Sequence, residues 1–117
     1  MAAPERLICE SSALLDGGAG VRFKVLEPGR TTPAPAFVIR WQGKVYGYLN
    51  RCGHIPVELD WQHGEFFDYS GQFLICATHG ALYDPVSGAC RGGRCEGRGL
   101  KPWPVVERQG HVYCEET

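Results

Sequence analysis

Apolar residues recur along this chain at every second position or in short runs, and glycine- or proline-bearing breaks separate the runs. Val21, Phe23 and Val25 alternate with Arg22 and Lys24, the period of a strand with one buried face. Glu27 to Pro35 reads as a turn-rich loop. Ala36 to Trp41 and Lys44 to Leu49 are apolar-rich runs joined through Gln42-Gly43, a two-residue hairpin connection. Glu65 to Phe67 and Gln72 to Ile75 flank Asp68-Tyr69-Ser70-Gly71, and Ala81 to Tyr83 and Gly88 to Cys90 flank Asp84-Pro85-Val86-Ser87. Both tetrapeptides carry reverse-turn chemistry, so two more hairpins are predicted. Trp103 to Glu107 and His111 to Cys114, joined at Arg108-Gln109-Gly110, should rejoin the main sheet. A turn at Ser11 to Leu15 is the one place where helix has room. The expected fold class is all-β and antiparallel. With 117 residues, 44% of them hydrophobic and 21% charged, one domain over 1–117 is expected.

Two segments stand out from this pattern, Cys52-Gly53-His54 and Cys76-Ala77-Thr78-His79-Gly80. The first hairpin delivers one and the second delivers the other. Each offers one thiolate and one imidazole, a compact two-ligand claw if its backbone is a loop. A structural zinc ion accepts the same four donors in a tetrahedral shell, and that reading stays open. Zinc knuckles, however, usually pair cysteine with cysteine and histidine with histidine, whereas both claws here are mixed. Mixed claws suit two bridged metals, the cysteines on one iron and the histidines on the other. Two neutral imidazoles in place of thiolates remove negative charge from the metals. Such clusters lie at roughly −150 to +300 mV, against about −400 mV for a plant-type four-cysteine cluster.

These segments, together with Ala81-Leu82-Tyr83-Asp84 and the Ser87-Gly88 turn, resemble the Rieske motif, and the resemblance covers Val38 to Cys114. It implies a β sandwich or barrel with a small cluster-binding subdomain at about residues 50–95, formed by two loops. It also implies a 2Fe-2S cluster on Cys52, His54, Cys76 and His79, with the histidine rings partly exposed. The residues around the ligands are Gly53, Ile55, Thr78, Gly80, Ala81 and Tyr83. Gly53 and Gly80 let backbone amides approach sulfur, and they also permit left-handed turns. High-potential members carry an extra cysteine in each loop, joined by a disulfide; Val57 and Thr78 stand there in this chain. Their serine donor to a bridging sulfide is replaced by Ala81. Both departures resemble the low-potential, ferredoxin-type branch, toward the negative end of the range. Tyr83 matches a tyrosine whose hydroxyl reaches a ligand sulfur and raises the potential slightly; a core aromatic bonded to water or backbone is an equal reading. Gly92 to Lys101 lacks the family's proline-rich cover, so a more mobile cover is expected.

The net charge of −1 gives no long-range field, and Arg91, Arg94 and Arg98 with Lys101 read as a solvated loop, so nucleic acid is not expected as a partner. No run approaches the roughly 18 apolar residues of a membrane helix, and Met1 to Glu10 does not read as a secretory signal. A cytoplasmic protein is expected. Of six cysteines, two are ligands, while Cys9 and Cys114 read as small buried hydrophobes. Cys90 and Cys95 can bridge if their loop folds back, though a reducing compartment disfavours it. His63 and His111 read as surface or sheet-edge residues, and Trp41, Trp61 and Trp103 as core.

What the resemblance implies for function is a one-electron carrier, not an enzyme, running from a reductase to an oxygenase. It would dock through the histidine tip and an apolar collar of Ile55, Pro56 and Leu82, and is expected to be monomeric when free. Within 117 residues, the mononuclear-iron domain of an oxygenase large subunit is not expected. A reading of a different class is a non-catalytic small subunit of a larger oxidoreductase, similar to that of assimilatory nitrite reductase. A third is a redox sensor or iron-sulfur store with Cys90 and Cys95 as a switch.

Overall fold

The computed structural model describes residues 5–52, 57–78, 80–93, 95 and 97–115. Its elements are β1 (Glu5–Glu10), a 3₁₀ turn (Ser11–Ala13), β2 (Val21–Val25), β3 (Ala34–Trp41), β4 (Lys44–Leu49), β5 (Leu74–Ile75), β6 (Leu82–Tyr83), β7 (Cys90–Gly92), β8 (Val105–Arg108) and β9 (His111–Glu115). They form three antiparallel sheets, ordered β1-β9-β8, β2-β3-β4 and β5-β6-β7. The all-β expectation holds.

Two hairpins are set by their turns. Gln42 and Gly43 have φ of 50° and 83°, and Gln109 and Gly110 have 50° and 78°. Two successive positive values match the right-handed twist of the flanking strands. β1 escaped the sequence reading because Glu5 to Glu10 shows no clear alternation; it exists by pairing along β9, from Glu5 opposite Glu115 to Glu10 opposite His111.

β3 is buried on both faces, which accounts for its unbroken apolar run. Ala34 and Ala36 turn one way, toward Val25, Leu49, Trp103 and Cys114. Val38 packs with Leu14 and Val112. Phe37 and Ile39 turn the other way, into a core with Leu59, Phe66, Leu74 and Tyr83. The final hairpin reaches the main sheet through residues 101–103: Leu49 N–H donates to Lys101 O and Trp103 N–H to Gly47 O, both at 2.9 Å. Gly47 makes this possible, since a Cβ there would lie 2.7 Å from Trp103 O and 2.6 Å from Val105 Cγ1. Arg6 donates to Lys24 O on the far side, where β1 runs beside β2. The two larger sheets thus form a barrel-like sandwich, with β5-β6-β7 as a lobe against the outer face of β3.

Three expectations change. Glu65 to Phe67 pairs with β5 only at the Phe67–Leu74 bridge, and β5 ladders with β6 instead. Phe66 dives into the core and stacks on Phe37 at 3.9 Å and 12°, which takes its segment out of a regular ladder. Trp61 is 84% exposed rather than core, because its neighbours Leu59 and Asp60 take the interior positions. Cys90 and Cys95 are joined in a disulfide. Trp103 is buried and Trp41 half-buried, their indole N–H groups donating to Glu115 O and Gly71 O. Cys114 is buried, while Cys9 is half-buried.

Arg40 ties β3 to its surroundings, donating to Leu14 O at 2.9 Å, Gly43 O at 3.1 Å and the Glu107 carboxylate at 3.0 Å. The Arg40 guanidinium pulls the Glu107 carboxyl down to about 2. A carboxyl lowered on folding adds stability above its unfolded value, and loses it as pH falls from there through the folded value. Because the carboxylate still meets water, the contribution is about 1 kcal/mol. Glu107→Gln should therefore lower urea-unfolding stability by about 1 kcal/mol at pH 7, and the difference from wild type should shrink below pH 4.

Candidate metal centre

β4 delivers the first claw and β5 the second. Cys52 N–H donates to Val57 O at 2.8 Å, closing one loop at its neck. Cys76 N–H donates to Ala81 O at 2.9 Å and Gly80 N–H to Cys76 O at 2.7 Å, closing the other in the same way. Each loop therefore places its cysteine at the neck. Ala77 N–H reaches Leu59 O at 3.0 Å, so the second loop is fastened to the segment leaving the first. Gly80 takes φ of +71°, which favours glycine at that tight return.

The two cysteines belong to one core, Cys52 at 5% exposure and Cys76 at 0%. The Tyr83 hydroxyl lies 3.3 Å from Cys52 Sγ, with both groups buried. Of the two readings of Tyr83, the sulfur partner is the one this geometry supplies. Ala81 is buried beside the cysteines, whereas Thr78 and Gly80 are exposed and Leu82 is half-buried. Gly53, His54, Ile55, Pro56 and His79 lie outside the described residues.

A buried thiolate is costly unless its charge is compensated, and a metal does this while deprotonating the thiol outright. Two sulfurs at the necks of adjacent closed loops, one facing a phenolic O–H, therefore fit an iron-sulfur centre. A thiolate can only accept from Tyr83, so the hydroxyl donates when metal is bound.

Polar residues that the sequence reading did not single out hold this frame. Asn50, at the end of β4, donates Nδ2–H to Asp60 Oδ1 at 2.8 Å and accepts from Leu59 N–H at 2.8 Å. Asp60 Oδ2 accepts from Gly64 N–H at 3.0 Å and faces Arg22 Nε at 3.2 Å. Asn50 and Asp60 are buried, so the network brackets the first loop from both ends. Next to Cys52, Arg51 pairs with Glu27, which also meets Lys101 at 3.2 Å. Arg51 first, then Lys101, holds the Glu27 carboxyl below its usual range. Tyr48 donates to Pro85 O at 2.6 Å, fixing the turn after β6. Burial pushes its hydroxyl well up, which keeps it a neutral donor. One signal was available: Asn50 directly follows the apolar run of β4 and Asp60 directly follows Leu59.

The third flank is the disulfide loop. Cys95 is fully buried in the same core as Cys52 and Cys76. A Cβ on Gly93 would lie 2.7 Å from Gly80 O and 2.8 Å from Ala81 Cα. In this segment Cys90 and Cys95 are cross-linked and Gly93 is seated on the return of the second claw.

A family model of the Rieske [2Fe-2S] domain matches residues 6–108. No curated protein matches the chain in sequence. Among solved structures, the Sphingomonas yanoikuyae B1 ferredoxin is 22% identical with a TM-score of 0.72, covering 97% of this chain and 100% of its own. The ferredoxin of carbazole 1,9a-dioxygenase from Nocardioides aromaticivorans IC177 is 18% identical with a TM-score of 0.74, covering 98% and 100%. A chain in a complex of reduced oxygenase and oxidized ferredoxin in carbazole 1,9a-dioxygenase is 22% identical with a TM-score of 0.71, covering 95% and 92%. At these identities the likeness is one of fold.

Tyr83→Phe should lower the reduction potential of the reconstituted centre. If the bond is stronger by about 1 kcal/mol in the reduced state, the fall is of the order of 40 mV in a dye-mediated titration. Asn50→Ala leaves Leu59 N–H and the Asp60 carboxylate short of a partner in the interior, and should cost about 2 kcal/mol in chemical denaturation.

Proposed function

The chain belongs to the Rieske [2Fe-2S] domain family, and from that premise we propose that it is a one-electron carrier whose cluster is held by Cys52, His54, Cys76 and His79. The observation that carries the reading is the pair of hydrogen-bond-closed loops with buried cysteines at their necks and Tyr83 beside one of them. When bound, the cluster supplies reversible acceptance of one electron. The protein's part is to keep water from the sulfurs, to hold the two loops in register through Ala77 and Leu59, and to offer the Tyr83 proton to Cys52 Sγ.

The family assignment and end-to-end match in fold to ferredoxins support a carrier, without catalysis of its own, acting between a reductase and an oxygenase. Docking through the histidine tip and Leu82 belongs to the same reading, as does a single domain with its cluster lobe at about residues 50–95. Weak redox encounters of this kind bury little surface and release quickly, which suits a monomer.

Among the described residues no helix is long and apolar enough to cross a membrane. A cytoplasmic location is part of the proposal; the Cys90–Cys95 bond weighs against it, since disulfides are uncommon in reducing compartments, and the buried position of Cys95 weighs for its survival there.

The test is iron and sulfide analysis with EPR of the dithionite-reduced protein. The expected result is two irons and two sulfides per chain and a rhombic signal of low average g, with a potential toward the negative end of the histidine-ligated range. Stoichiometric zinc and EPR silence would overturn it.

A further inference from the structure

Two observations converge on the loop between Cys90 and Cys95. The first is contact: Gly93, at φ of +78°, presses on the backbone of Gly80 and Ala81 so closely that no side chain fits between them. The second is register: Cys90 stands directly opposite Tyr83 in the β6–β7 pairing, and the Tyr83 hydroxyl reaches Cys52 Sγ. The loop therefore touches the return of the second claw and flanks a side chain that addresses a sulfur of the first. The strands on which it sits are short. The β6–β7 pairing has two registered residue pairs and an irregularity between them.

We propose that the Cys90–Cys95 disulfide is a positioning clamp for the cluster, holding Gly93 on the second ligand loop and Cys90 beside Tyr83, so that a dithiol that cleaves it loosens both claws. The inference rests on the cluster reading above. Neither claw loop carries the extra cysteine with which high-potential relatives pin one loop to the other, and here the cross-link sits on the third flank instead. Cys90 is half-buried while Cys95 is enclosed, so Cys90 Sγ is the sulfur open to attack. A dithiol gives two electrons and two protons: its thiolate displaces Cys95 from Cys90, its second thiol displaces Cys90, and it leaves as a cyclic disulfide. Two thiols remain, and Gly93 is free to lift from Gly80.

The experiment compares holo wild type, with and without dithiothreitol, and the holo double variant Cys90→Ser/Cys95→Ser. It reads cluster loss to an iron chelator, amide exchange at Gly80 to Tyr83, and reduction potential. From the entropy of the short closed ring, loop opening should rise by about 40-fold, bringing faster exchange and faster cluster loss. The potential should fall toward that of Tyr83→Phe, and should fall no further when Tyr83→Phe is combined with the double variant. Unchanged loss, exchange and potential in a variant that holds its cluster would overturn the clamp. If the double variant fails to fold by circular dichroism, Gly93→Ala carries the test, because its methyl pushes the loop off Gly80 with the disulfide intact; unchanged cluster loss there has the same meaning. A wild type without the rhombic signal defeats the cluster reading and the clamp with it, whereas a rhombic signal with unchanged loss, exchange and potential defeats the clamp alone.

Discussion

The double-sided burial of β3 is the constraint on which the molecule turns. Ala34, Ala36 and Val38 face the interior of the barrel, while Phe37 and Ile39 face the lobe that carries the two cysteines. A strand that is apolar on both faces fixes the register of its neighbours, because a slip of one residue exchanges the two sets of side chains. β4, paired residue for residue with β3, therefore ends at a defined height, and Asn50 and Cys52 follow at defined positions. Phe66, stacked on Phe37, sets the height of the segment that delivers Cys76. Both cysteines are thus located from one strand.

Around that apolar frame, polar groups do the fine placement. Asn50 and Asp60 satisfy each other and two backbone N–H groups, so a buried amide and carboxylate become a brace. Such a network is worth having only when every member is satisfied, since a half-satisfied one is worse than an apolar substitute. Glu27 with Arg51 and Lys101 does similar work nearer the surface, where solvent screening makes each pair weaker.

Much of this was legible in the sequence, for reasons that differ by element. Val21 to Val25 and the Gln42-Gly43 hairpin were readable because alternation and turn chemistry are local signals. The claws were readable because metal ligation restricts residue types so severely. β1 was not, since its existence depends on pairing with β9, more than a hundred positions away, as between Glu5 and Glu115. The second hairpin was overdrawn because turn chemistry at Asp68 to Gly71 says nothing about where Phe66 will pack. Trp61 was misplaced because size and apolarity favour burial, but exposure is decided by which neighbour reaches the interior first. The Cys90–Cys95 bond was disfavoured by an argument about compartments, which carries no information on whether a loop brings two sulfurs together.

The stretch between the claws bears on how such chains vary. Between Phe67 and Leu74 the chain makes a tight turn, held by Asp68 N–H to Phe73 O at 2.9 Å and Gly71 N–H to Asp68 O at 3.0 Å, and it carries no ligand. Both ends are fixed independently of its length, one by the bracket around Asp60 and the other by the bond from Ala77 to Leu59. Closing a longer loop between fixed ends adds only about 0.6 kcal/mol per doubling. The number of residues separating Cys52 from Cys76 is accordingly a tolerant quantity, free to drift by insertion and deletion, while the spacing inside each claw is not.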